Sequence, residues 1–223
     1  MRTQVEVQKS ALAANQETAG ALRARFAAAG TLVVNLISSP GSGKTTLLEA
    51  TVQRLRGRAS MAALEGDIAT ERDADRLRRA GIPAHQILTG GACHLDARQV
   101  DRALAEHLRG HADILFIENV GNLICPTSYD LGEDFKVALL SVPEGEDKPF
   151  KYPAIFARSE VTVITKCDLL PHVPFKLDEA KGQLAALRPD GACLVTSATT
   201  GEGLDAWCDL LLRRLAAKKG VKG

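Results

Sequence analysis

The densest chemistry in the sequence is the run Ser38-Ser39-Pro40-Gly41-Ser42-Gly43-Lys44-Thr45-Thr46. It follows the apolar run Leu32–Ile37 and precedes a helical pattern, the strand–loop–helix setting of a phosphate-binding loop. Gly41 and Gly43 let the backbone turn, so that successive N–H groups across Gly41, Ser42, Gly43, Lys44, Thr45 and Thr46 point inward at phosphate oxygens. A helix beginning near Lys44 adds its positive end. Lys44 then reaches the β- and γ-phosphates, and the Thr45 hydroxyl ligates Mg²⁺. Ser38 stands where the motif usually opens with glycine. These residue types describe a nucleotide site.

Thr165-Lys166-Cys167-Asp168 closes a later β-run, where GTPases carry N-K-x-D. The Asp168 carboxylate can accept two hydrogen bonds from guanine N–H groups while the Lys166 stem packs over the base. Adenine lacks those donors, and a site built to pair with them discriminates by roughly 10⁴. Thr196-Ser197-Ala198 resembles the short Ser-Ala loop that completes a guanine pocket. Between these motifs stand Glu65-Gly66-Asp67 and Glu118-Asn119-Val120-Gly121, both at strand ends. Glu118-x-x-Gly121 is a longer-armed variant of D-x-x-G: the carboxylate can hold Mg²⁺ and the Gly121 N–H can sense a γ-phosphate. Glu65 also reads as a solvated strand-end carboxylate. No residue stands out for orienting the attacking water, so hydrolysis is expected to be slow, as suits a switch.

Gly90-Gly91-Ala92-Cys93-His94 and Cys125-Pro126 carry softer donors. Adjacent strand residues face opposite ways, so Cys93 and His94 can share one metal only from a turn or a helix terminus. The two glycines supply the turn, and a helix beginning near Asp96 supplies the terminus. Pro126 should hold Cys125 extended. Thiolate and imidazole suit Zn²⁺, Ni²⁺ or Cu rather than Mg²⁺. Three ligands leave the site incomplete, which a second copy of the chain could finish across a two-fold axis. The same residues also fit an incidental Cys-His pair and a small core cysteine. Cys167, Cys193 and Cys208 read as buried spacers, and His85, His107, His111 and His172 have no ligand-like spacing.

The elements that must position these groups alternate between β and α. Expected strands are Thr31–Ile37, Ala59–Leu64, His85–Leu88, Asp113–Glu118, Lys136–Val142, Val161–Lys166 and Ala192–Thr196. Several are continuously apolar, as strands covered on both faces should be. Helical faces appear at Leu48, Val52 and Leu55, at Val100, Leu104 and Leu108, and at Leu204, Trp207, Leu211 and Leu215. The expectation is an α/β fold: a mostly parallel sheet with helices on both faces and ligands at the carboxyl ends of the strands. Residues 1–30 read as a helical arm with Ala19, Leu22 and Phe26 on one face, 31–217 as the nucleotide-binding domain and 218–223 as a frayed basic tail. The stretch PEGEDKPFKYP, with prolines at 143, 149 and 153, reads as a loop-like excursion.

Composition narrows the class. The chain has 223 residues, 45% apolar and 25% charged, enough to bury roughly 70% of its unfolded surface without disulfides. Its 28 basic and 27 acidic residues leave a net +1, and aromatics are only 4%; neither suits a nucleic-acid or membrane-surface partner. Five scattered cysteines with no CxxC pair, and no apolar signal region, point to a cytoplasmic protein.

Taken together, NLISSPGSGKTTLLE, EGD, GGACHLDA, ENVGNLICPTSYDLGE, DKPFKYP and TKCDLLP resemble, in order, the hydrogenase nickel-incorporation GTPases of the HypB family. The resemblance spans roughly residues 12–215. It implies a SIMIBI-class G domain that binds GTP or GDP with Mg²⁺, forms a nucleotide-dependent homodimer, and works with other maturation proteins to deliver nickel to the large subunit of nickel–iron hydrogenase. By position it assigns Lys44, Thr45, Asp67, Glu118, Lys166 and Asp168 to nucleotide and magnesium. It assigns Cys93, His94 and Cys125 to Ni²⁺ or Zn²⁺, and places Lys148 and Lys151 within reach of a partner's nucleotide. An amino-terminal cysteine-rich nickel motif and a histidine-rich store, carried by some relatives, do not occur here. Urease accessory G proteins are the nearest alternative; they carry Cys-Pro-His, whereas Cys93 and His94 are adjacent.

Overall fold

Seven apolar runs form seven strands in the computed structural model, which describes residues 4–67, 72–108 and 110–220. They are β1 (Leu32–Ser38), β2 (Met61–Asp67), β3 (Ala84–Leu88), β4 (Ile114–Glu118), β5 (Phe135–Ser141), β6 (Val161–Thr165) and β7 (Ala192–Val195). All pair in parallel, in the order β3-β2-β4-β1-β5-β6-β7. Every residue of β1, β4 and β6 is buried, which explains their lack of polar alternation. Connections run outward to β2 and β3 and later, on the other side, to β5, β6 and β7. The order reverses around β1, and the carboxyl-end crevice opens there.

The helices are α1 (Gln4–Ala29), α2 (Lys44–Leu55), α3 (Arg72–Ala80), α4 (Ala97–Glu106), α5 (Lys148–Lys151), α6 (Pro153–Arg158), α7 (Leu177–Leu187) and α8 (Leu204–Lys218). Strand periodicity sorts them. Leu32, Val34 and Leu36 pack with α2, α3 and α8 on one face. On the other face Val33 packs with α1 and α4, and Ile37 with α6 and α7. Trp207 is fully buried, and its ring N–H donates to Thr51 Oγ1 at 2.9 Å, so its polar atom is satisfied. Each fully buried large apolar side chain contributes about 1.5–3 kcal/mol.

Three expectations change. The segment read as an arm is a helix whose Ala19, Leu22 and Phe26 belong to the core, because they cover α4 and β1. The tail is latched where it is described: Lys218 pairs with Asp134 and Lys219 with Asp113. Residues 221–223 lie outside the described residues. The proline-rich excursion folds into a 3₁₀ turn at Val142–Glu144 followed by α5 and α6. Its prolines occupy first turns, where a missing N–H leaves no helical bond unmade.

Candidate functional site

The loop after β1 turns through Gly41 at φ +75° and Gly43 at φ +92°, conformations that glycine alone adopts cheaply. Gly43 then caps α2. Ser38 needs no left-handed backbone, so serine fits where the motif has glycine, and its hydroxyl is used. Lys44 Nζ donates to Ser38 Oγ at 2.9 Å, and the Ser42 hydroxyl donates to the same atom. Thr45 Oγ1 lies 3.2 Å from each carboxylate oxygen of Glu118, and Lys44 Nζ is 3.8 Å from that carboxylate. A cavity of about 410 Å³ opens beside them, lined by Lys44, Thr45, Glu65, Asp67, Glu118 and Gly121 among others. Hydroxyl and carboxylate oxygens are the donor set that magnesium prefers. The loop after Asp67, residues 68–71, lies outside the described residues.

Gly121 brings its turn against the phosphate loop: a Cβ there would lie 2.9 Å from Pro40 Cγ. Glu65 is not the solvated carboxylate its strand-end position allowed. It is buried, faces Glu118 across the β2–β4 pairing, and leaves Oε1 without a partner among the described residues. Burial pushes both acids above the usual carboxylate range, and the Glu118 charge raises Glu65 further. Gln86, paired with Glu65 from β3, lines the same cavity, and both its amide atoms lack a partner among the described residues. Sequence reading missed Gln86; the signal was a polar residue in the middle of a strand due to be covered.

The base-reading motif is tied to the phosphate loop. Thr165 Oγ1 donates to Ser42 O at 2.6 Å and Lys166 Nζ donates to Gly41 O at 2.7 Å. Lys166 is the single non-glycine with positive φ, +59°, among the described residues. A second cavity of about 280 Å³ adjoins, lined by Thr46, Leu47, Lys166, Asp168, Ala198 and Thr199 among others. Ser197 does not line it. Its Oγ instead accepts from the N–H groups of Thr199 and Thr200, so it shapes the turn that carries Ala198.

Cys93, His94 and Cys125 come together: their ligand atoms all lie within 4.8 Å of one another. Gly90 (φ +62°) and Gly91 (φ +97°) make the turn before them, and Asp96 caps α4 with a reciprocal Gln99 box. Cys125 is not extended. It opens a 3₁₀ turn, Cys125–Ser128, whose early proline costs no hydrogen bond. The Cys125 contact, with burial, raises the Cys93 thiol above its usual range, and burial lowers His94. A neutral imidazole is the ligating form. Two sulfurs and one nitrogen suit nickel or zinc. Cys167 and Cys208 are buried spacers as expected, while Cys193 is only half-buried. His85 and His107 stack on each other, 3.7 Å between centroids, away from this group.

Asn119 links the two sites. It follows Glu118, and its Oδ1 accepts from Leu95 N at 3.2 Å, the residue after His94. In the 148–152 stretch Lys151 pairs with Asp147, Lys148 lies over the Tyr152 ring, and Phe150 between them is 80% exposed.

Fold and site define a phosphate-loop nucleotide-binding protein with a thiol–imidazole cluster joined to the loop by one short segment. The model for the CobW/HypB/UreG nucleotide-binding domain matches residues 32–194. A hydrogenase maturation factor HypB from Escherichia coli K12 is 48% identical over 210 residues, covering 94% of this chain and 72% of the relative. HypB from Archaeoglobus fulgidus superposes with a TM-score of 0.86 at 37% identity, over 91% of this chain and 99% of that one. HypB from Helicobacter pylori, solved in complex with nickel, gives 0.85 at 38%, over 94% and 97%. The chain belongs to the HypB group of that family.

Proposed function

We propose that this protein is a GTP-hydrolysing nickel switch that assists nickel insertion into nickel–iron hydrogenase during its maturation in the cytoplasm. Lys44 and the Gly41–Thr46 backbone hold the phosphates. Thr45, Asp67 and Glu118 hold Mg²⁺, and Lys166 and Asp168, beside Ala198, select guanine. The attacking water lacks a dedicated base, so intrinsic turnover is slow, on the order of 10⁻⁴–10⁻² s⁻¹. Cys93, His94 and Cys125 bind nickel, with zinc the competing occupant. The adjacency of Cys93 and His94 and the names of the relatives support the hydrogenase branch over a urease-type role.

The observation that carries the reading is the Glu118–Cys125 segment. It begins at a carboxylate 3.2 Å from Thr45 Oγ1, packs Gly121 on Pro40, fastens Leu95 through Asn119, and ends on a metal donor. A γ-phosphate that moves this segment changes the spacing of the three donors. Exposed Phe150, with Lys148 and Lys151, supports a nucleotide-dependent homodimer in which a second copy completes the coordination. The test is nickel titration of GDP-bound and GTP-analogue-bound protein, with ATP analogue as control. The expected result is a five- to hundredfold difference between the guanine states, in the usual range of coupling between sites, and no effect of ATP. Equal nickel affinity and equal oligomeric state in both forms would remove the switch.

A further inference from the structure

The three donors sit on two segments far apart in the chain, one leading into α4 and one following β4. One side chain touches both. Asn15, on α1, is buried. Its Oδ1 accepts from Ala97 N at 2.8 Å, three residues after His94, and its Nδ2 donates to Asp130 O at 2.8 Å, five residues after Cys125. The amide accepts on one side and donates on the other; an ionised carboxylate only accepts and an alkyl group does neither, so either replacement forfeits at least one bond.

Two further contacts close the arrangement. Arg23, two turns along α1, grips Asp130 with bonds of 2.6 and 2.7 Å, and Gly132 lies so near the helix that a Cβ would stand 2.8 Å from Leu22 Cβ. Between the segments the Tyr129 ring lies against the His94 ring, centroids 3.8 Å apart and planes tilted by 34°.

We propose that Asn15 and Tyr129 are positioning residues for the metal cluster. Through Asn15, α1 clamps the Cys93–His94 turn and the Cys125–Asp130 segment to each other, and Tyr129 sets the imidazole plane. The inference rests on the metal reading above and adds that α1 is part of the metal site although it supplies no ligand. Groups that orient ligands in this way typically change metal affinity by 10–100-fold when removed.

The experiment compares the full chain with Asn15→Ala, Asn15→Asp, Tyr129→Leu and Tyr129→Phe. Each is titrated with nickel and followed by the thiolate-to-nickel charge-transfer band; GTP-analogue affinity is measured beside it. Asn15→Ala and Tyr129→Leu are expected to weaken nickel at least tenfold with nucleotide affinity unchanged. Asn15→Asp should fall between, and Tyr129→Phe, which keeps the ring, should match the unsubstituted protein. Unchanged nickel affinity in both Asn15→Ala and Tyr129→Leu overturns the clamp, as does an equal loss of nickel and nucleotide affinity. If Asn15→Ala does not fold, Tyr129→Leu against Tyr129→Phe decides alone. Absence of the charge-transfer band in the unsubstituted chain would instead refute the metal reading itself.

Discussion

Thr165 was the least regular letter of the base-reading motif, and its geometry explains the substitution. Its short hydroxyl reaches Ser42 O at 2.6 Å, so it anchors the phosphate loop from the strand end. Ser38 similarly turns a departure from the motif into an acceptor for Lys44. That Lys44 and Asp168 would line cavities and that Cys93 and His94 would meet Cys125 was legible from residue type. Roles set by neighbours were not. Cys125 differs from expectation because a 3₁₀ start decided its conformation, and a turn hydrogen bond fixes the Ser197 side chain. At this scale Cys125→Ala is expected to abolish nickel binding in the titration while GTP-analogue affinity stays within twofold. The residue is only half-buried, so its loss should cost little stability.

Strand runs were legible to within a residue at each end, except β2, expected at Ala59–Leu64 and found at Met61–Asp67, because burial on both faces leaves an uninterrupted apolar stretch. The short helices of 142–158 were not, since proline signals a break and a first helical turn equally well. The latch at the end of α8 depends on tertiary contacts that no local pattern reports. Lys219 beside Asp113, with the Ser60 N–H donating to the same carboxyl at 2.7 Å, holds that group down to about pH 2. An acid with a depressed folded pKa binds fewer protons when folded. Stability therefore rises with pH between about 2 and 4, and this share is lost as pH falls through about 2. Asp113→Asn should remove about 1–2 kcal/mol at neutral pH and flatten the acid limb of a denaturation profile by a similar amount. A parallel, undiminished limb in the variant would assign the acid sensitivity to other carboxylates.

At the level of the whole molecule, one parallel sheet delivers phosphate loop, carboxylates and base motif to one edge, and the Glu118–Cys125 segment carries that edge to the thiols. Linkage then works in both directions. Nickel must change GTP-analogue affinity by the same factor that the analogue changes nickel affinity, and isothermal titrations in both orders should agree within error. A mismatch would mean that a third equilibrium, such as dimer formation, had entered one of them. The packing of α1 has a consequence of another kind. During synthesis Phe26 of this helix is made before α4, and Leu104, which shares its core cluster, follows 78 residues later. At about 5–20 residues per second the apolar stripe stays uncovered for about 4–16 s. The apolar stripe of α1 is thus a natural client for holding factors until α4 has been made.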